Sequence, residues 1–395
     1  MDARAELEHV IRHLAEIDNR GSATPGEHEA ALWLSDRFEE HGCKVSVDSA
    51  PAHGTYWWPM GISAGIGLVG ALFGLARKRI IGFLLGCISV GSLIDDVASG
   101  PRVLRRYLLP KRTCWNTVAT TGDLTAETTV VIIAHHDAPH TGKIFDQSAQ
   151  KWFAGRFPGV LAKIKTAPPL YWPVIAGPIL VALGNLTGSK KLIRLGAVAS
   201  GVSGAVFLDV GTSPVNQGAN DNLSGVAGLV WVARALNENP VQGVKVILAS
   251  CGSEESFQEG IAAFMAKYSS DLPTRSTYFV NLETVGSPQL LLLEGEGPIV
   301  MRDYEKGFKD FVEGVARSKG ISLTRGNRAR TTTDSLITSR RGYPTATFTS
   351  VNSWKALSNY HMLSDTPDNL SWDTVFDAAL LAEQIVRSLA DFAGL

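Results

Sequence analysis

The chain has little net charge. Its 37 basic and 38 acidic residues leave −1 at neutral pH, and no run of Lys or Arg concentrates positive potential, so nucleic acid is not expected as a partner. Cysteine is also scarce. Cys43, Cys87, Cys114 and Cys251 lie far apart with no C-x-x-C pair, which argues against a disulfide framework and against a thiolate zinc site, and fits a reducing compartment. The first 20 residues lack the apolar core of a secretory signal and read as an amphipathic helix, with Leu7, Val10, Ile11, Leu14 and Ile17 on one stripe. Disorder is excluded by composition, since 45% of the 395 residues are hydrophobic. That length is generous for one domain and suggests two or three units.

What the chain does contain is two long stretches without charge. Residues 57–76 carry none, a basic turn Arg77-Lys78-Arg79 follows, and residues 80–94 are again uncharged; residues 170–186, the turn Lys190-Lys191 and residues 195–208 repeat the plan. Both open alike, with Tyr56-Trp57-Trp58-Pro59 and Tyr171-Trp172-Pro173. Aromatics at the mouth of an apolar run and small residues spaced by four, such as Gly61/Gly65, Gly70/Gly74, Gly82/Gly86 and Gly196/Ser200/Gly204, predict two helical hairpins in contact with membrane lipid. A buried cap on a soluble enzyme is the alternative, because only the first run comfortably reaches the length of about 17 to 25 residues that a spanning helix needs. Basic residues are more numerous on the flanks at 102–112 and 151–165 than in the turns. The expectation is therefore a membrane-associated chain whose remaining part faces the cytoplasm, with a soluble cytoplasmic protein as the alternative.

Residues 1–55, 101–150 and 211–395 remain when the insertions 56–100 and 151–210 are set aside, and they read as one α/β domain. Apolar strands alternate with helices of ten or more residues, which predicts a mostly parallel central sheet covered on both faces. Three of these strands run into metal-binding side chains. Residues 130–133 end in His135-His136-Asp137, residues 244–250 lead to Glu254-Glu255, and residues 278–282 lead to Glu283. Asp221 sits in Asn220-Asp221-Asn222 at a helix start, and His361 follows Tyr360 in a late loop. Singly, each has an ordinary reading: an N-cap acid, first-turn acids beside a helix dipole, a surface histidine. Together, at successive loops of one α/β domain, they predict a carboxylate-rich zinc site.

This order of H-x-D, N-D-N, E-E, a further acid and a late histidine resembles the co-catalytic zinc aminopeptidases, whose fold is shared by glutamate carboxypeptidase and the glutaminyl cyclases. Arg20-Gly21-Ser22 and Asp365-Thr366 belong to the same resemblance. It implies a three-layer zinc-exopeptidase-like domain, to which the two hydrophobic hairpins are additions. By that resemblance His135, Asp221, Glu255, Glu283 and His361 would hold two zinc ions, or one, with Asp221 bridging. Asp137 would orient His135, and Glu254 would be the general base that activates a metal-bound water. Asp334, in Thr331-Thr332-Thr333-Asp334-Ser335, and Tyr360 would stand on the substrate side, although an exposed loop is the equally ordinary reading of Asp334. Many family members carry aspartate where this chain has Glu283. The implied function is a zinc-dependent aminopeptidase acting on peptides. The alternatives are a single-zinc cyclase needing only Asp221, Glu255 and His361, or a silent membrane scaffold as in the transferrin receptor. Neither substrate side chain nor oligomeric state follows from the sequence.

Overall fold

The computed structural model describes residues 2–393. It contains nine strands: β1 (Lys44–Ala52), β2 (Arg112–Gly122), β3 (Thr128–His135), β4 (Val244–Cys251), β5 (Thr277–Leu282), β6 (Gln289–Glu296), β7 (Arg302–Asp303), β8 (Thr324–Ala329) and β9 (Thr345–Val351). They form one sheet in the order β1-β2-β4-β3-β5-β9-β6-β7, with β8 paired to β6. The middle, β4-β3-β5-β9, is parallel, and antiparallel strands close both sides. Alternation along β3 explains the continuous apolar run. Val130 and Ile132 enter one core with Leu34, Val226 and Ile385 from helices Pro25–Glu40, Ser224–Glu238 and Trp372–Ala393. Val131 and Ile133 point the other way, onto Ile261, Phe264 and Met265 of helix Glu259–Tyr268. A strand buried on both faces has no position left for a polar residue until it ends, and there the histidines begin.

The two insertions pack into a four-helix bundle made of Trp57–Leu75, Arg79–Val97, Trp172–Thr187 and Lys190–Thr212. Small residues set the spacing. A Cβ on Gly86 would lie 2.9 Å from the backbone nitrogen of Ala182, so the two hairpins touch backbone to backbone there. Gly70, Gly82 and Gly196 are similarly close to neighbouring helices, whereas Gly65 and Gly204 meet nothing within 4 Å and face outward, contrary to the sequence pattern. Arg79 of the first basic turn donates to the carbonyls of Asn185 and Leu186 at 2.7 Å each, capping the C-terminal end of the opposite hairpin's first helix. The outward surface is apolar: Leu72, Leu84, Ile88, Leu186, Val198 and Val202 are exposed. Three of the four helices have the length and composition to cross a membrane; Trp172–Thr187, at 16 residues, falls short. Flanking polar residues extend the other two predicted short runs to 19 and 23 residues.

Much of the bundle's contact with the sheet's end gathers around Phe257. Trp57, Met60, Leu93, Val97, Ile175 and Phe207 enclose Phe257, which follows Glu254-Glu255-Ser256. Beside it, fully buried Arg105 donates to both oxygens of Asp96 at 3.0 and 3.1 Å and to the Ser256 carbonyl at 2.5 Å. Glu259 accepts from the backbone of His53 and Gly54 and from Ser256 Oγ. The chain's exit to the first hairpin, its return, and the loop after β4 thus share one polar knot.

Candidate active site

Parallel register brings the strand ends together. His135 pairs with Cys251, so the end of β3 stands beside the end of β4, and Glu283 follows β5 on its other side. Asp221 arrives on a turn ahead of helix Ser224–Glu238. Its position is fixed by Asn222, whose Oδ1 accepts from the N–H groups of Gly225 and Thr284 and whose Nδ2 donates to the Leu282 carbonyl. The helix-start amide is thus capped by Asn222, which leaves the Asp221 carboxylate for the site. Gly225 is required by close approach, since a Cβ there would lie 2.2 Å from the Leu282 carbonyl. Glu254 and Glu255 occupy a short 3-10 turn of three residues rather than the first turn of a helix. His361 comes from the loop after β9 and takes a left-handed backbone with φ of 53°.

All five predicted metal ligands converge. Asp221 lies between two groups: its Oδ1 is 3.3 Å from His135 Nε2, and its Oδ2 is 3.3 Å from His361 Nε2. Glu283 Oε1 stands 3.5 Å from His135 Nε2, and Glu255 Oε1 stands 3.3 Å from His361 Nε2. His135, Asp221 and Glu283 form one cluster and Asp221, Glu255 and His361 another, each with its ligand atoms within 4.8 Å of one another. These residues are buried, yet His135 Nε2, His361 Nε2, Asp221 Oδ2 and Glu283 Oε2 have no hydrogen-bond partner. Buried polar atoms left in this state cost about 1–3 kcal/mol each. Tetrahedral ligands held at roughly 2.0–2.1 Å from zinc stand about 3.3 Å apart, so imidazole and carboxylate donors spaced in this way fit zinc. The longer side chain of Glu283 reaches the cluster.

The charges respond to one another. Burial pushes the Glu254 carboxyl well above the ordinary range, with Glu283, Glu255 and Asp334 adding to the shift against His135. Burial would lower His361, but Glu255 and Asp221 hold it up at about 9. Burial would likewise raise Asp137, but the neighbouring His135, Ser22 and the Glu254 amide keep it low.

Asp137 does more than orient one ring. His135 Nδ1 lies 3.1 Å from the Asp137 backbone carbonyl and 3.4 Å from its carboxylate. The carboxylate itself accepts from Ser22 Oγ at 2.6 Å and from the N–H groups of Glu254 and Glu255 at 3.0 and 3.1 Å. One acid therefore aligns a ligand strand and the turn that carries both glutamates. Buried Arg20 donates to the carbonyls of His136 and Gln217, and Asp365 accepts from the N–H groups of Asn220 and Asp221.

Other predicted residues fall as follows. Tyr360 stacks on His361 with ring centroids 3.9 Å apart, and Phe145 packs on the same histidine at 4.4 Å. Asp334 is fully buried and neither of its oxygens has a partner, so its reading as an exposed loop residue is corrected. His136 turns away to Ser250 Oγ, and burial drives it down to about 3. Sequence reasoning missed Asn222, Thr284 and Gln258. Thr284 Oγ1 donates to Glu283 Oε1 at 3.1 Å, a contact without any spacing signal because the two residues are adjacent. Tyr56 and Tyr171, the paired openings of the hairpins, meet Phe257 with ring centroids 5.3 and 5.9 Å away, beside the glutamate turn.

Comparison with known proteins returns the grouping expected from the motifs. Residues 206–386 match the sequence model of peptidase family M28, a match that begins within the last bundle helix. No curated protein matches the chain by sequence. Among solved structures, an aminopeptidase of an Aneurinibacillus species is similar at TM-score 0.58 and 14% identity, over 98% of this chain and 93% of the other. A glutaminyl cyclase of Bacteroides thetaiotaomicron is similar at TM-score 0.57 and 12% identity, over 98% and 97%. A Zn-dependent exopeptidase of Parabacteroides distasonis is similar at TM-score 0.55 and 14% identity, again over 98% and 97%. The fold is that of these proteins.

Proposed function

With residues 206–386 matching peptidase family M28, we propose that the protein is a zinc-dependent exopeptidase, an aminopeptidase, joined to a membrane by its four-helix bundle. The observation that carries the enzymatic reading is Asp221, whose two oxygens each face a histidine at 3.3 Å. In this reading His135, Asp221 and Glu283 would hold one ion, and Asp221, Glu255 and His361 would hold a second. Zinc bound there supplies Lewis-acid polarisation of the scissile carbonyl and a more acidic water. Glu254 takes the proton of the attacking water and returns it to the leaving amine, a role suited to a carboxyl whose proton affinity is raised by burial. Asp137 holds the Glu254-Glu255 turn in register with His135. Tyr360, stacked on His361, would stand on the substrate side, whereas fully buried Asp334 has no surface to offer a substrate.

Support for a peptidase over a cyclase comes from the His135-Glu283 half, which a single-zinc enzyme would not need and which is assembled here with unpartnered buried atoms. Purified protein is expected to contain one to two equivalents of zinc, to release the chromophore from unblocked aminoacyl anilides, and to spare N-acetylated ones. Chelation should abolish turnover and added zinc restore it. Full activity after verified metal removal would overturn the reading, and cyclisation of N-terminal glutamine without anilide hydrolysis would replace it.

A further inference from the structure

Gln258 is 1% exposed, takes a left-handed backbone with φ of 59°, and begins helix Glu259–Tyr268. Its side-chain amide is fully engaged. Nε2 donates to Glu254 Oε1 and to Thr332 Oγ1, both at 2.8 Å, while Oε1 accepts from Ser99 Oγ at 3.3 Å. The nitrogen faces Glu254, the orientation that suits its carboxylate form, and the Ser99 contact agrees with that assignment. The backbone repeats the link, with Gln258 N–H donating to the Glu254 carbonyl at 2.8 Å. Ser99 lies just beyond helix Arg79–Val97 of the first hairpin, and Arg102 donates both to Ser99 Oγ and to the Phe257 carbonyl. One neutral amide therefore joins the glutamate turn, the loop ahead of Asp334 and the root of the bundle.

We propose that Gln258 is a positioning residue for Glu254, fixing one carboxylate oxygen so that the other is presented to the reacting water, and that Ser99 anchors this amide to the first hairpin. The inference rests on the reading of Glu254 as general base. An amide suits the task because it donates to a carboxylate without competing for its proton. Misplacement of a catalytic group by about 1 Å costs about 10²-fold in rate, so the consequence belongs in kcat.

The test compares Gln258→Met, which keeps length without the amide, in wild-type and Glu254→Gln backgrounds. Zinc content, melting temperature, kcat and KM are measured on the full-length, zinc-loaded protein. In the wild-type background kcat is expected to fall about 10- to 100-fold, with KM within about 2-fold and zinc retained. In the Glu254→Gln background the same substitution should cost less than about 2-fold, because the group it positions is already inactive. Unchanged kcat, loss of zinc, or an equal loss in both backgrounds would overturn the inference. Should Gln258→Met not fold, Gln258→Glu keeps the shape and places an acid against Glu254; kcat should fall at least as far, and an unchanged kcat would overturn the proposal. Full activity of Glu254→Gln alone would instead remove the reading on which the proposal rests.

Discussion

Glu254 and Glu255 are sequence neighbours with different contacts, because a three-residue 3-10 turn points successive side chains apart. Glu255 Oε1 faces His361, whereas Glu254 Oε1 accepts from Gln258. Glu254→Gln is therefore expected to lower kcat by about 10² to 10⁴, the range for a general base, while zinc remains bound. Glu255→Gln should lose zinc from the Asp221-His361 half. Metal analysis beside steady-state kinetics checks both, and identical behaviour of the two variants would refute the division. The convergence of His135, Asp221, Glu254, Glu255, Glu283 and His361 was legible in the sequence because each follows an apolar strand or a turn signal. Their supports were less so. Asn222 looked like a turn former, and Gln258 like one more polar residue after a strand. What gives each its role is a long-range contact, to Thr284 in one case and to Ser99 in the other, that no local pattern encodes.

At the scale of elements, the knot around Glu259 decides how the first hairpin meets the sheet. Burial would raise this carboxyl, but His53 and Arg105, with Ser256 and the His53 amide, hold it at about 2. A depressed carboxyl contributes stability that is present above its unfolded value, near 4.5, and is lost as pH falls toward 2. Glu259→Gln leaves Arg105 and His53 without this partner, and breaking a buried charged contact of this kind costs about 3 kcal/mol. The melting temperature of the variant should fall below that of the wild type at pH 7, and the gap should close between about pH 4.5 and 2. A gap that stays constant over that interval would show that the charge is not what holds the knot. Strands β3, β4 and β5 were plain from their apolar runs, but β1 and β2 carry no such run. They pair along their whole length, from Lys44 with Thr120 to Ala52 with Arg112, so tertiary pairing lengthened what local propensity only began. The reach of β1 carries the chain up to His53 and hence to the knot.

The whole molecule is a peptidase-like sheet with an apolar bundle standing at the edge where the histidine and carboxylate cluster lies. Among exposed large hydrophobic residues, Leu72, Leu84, Ile88, Leu186, Val198 and Val202 come from all four bundle helices, while the helices touch one another through glycine, alanine and serine as well as through Met60, Leu93, Ile175, Val181 and Ile193. A soluble cap would carry polar side chains on this outward face, because water penalises an exposed apolar belt at about 25 cal/mol per Å². Close helix contact at glycines such as Gly86, with large apolar side chains on the outer face, is what lipid favours, where the surrounding solvent is itself apolar. The 16-residue helix Trp172–Thr187 is shorter than the usual span, and Arg79 at its far end caps its last carbonyls, so in a membrane it could end inside the boundary that its longer neighbours have the length to cross. Expressed protein is accordingly expected in the membrane fraction, resistant to carbonate and released by detergent, with the metal site on the cytoplasmic side and the turns at Arg77–Arg79 and Lys190-Lys191 accessible only from the other. Replacing Leu84, Ile88, Val198 and Val202 together by serine should weaken retention while leaving zinc content intact, because none of the four touches the site. Recovery of folded, active, monodisperse wild-type enzyme from the aqueous fraction without detergent would make the bundle a cap and remove the membrane from its function.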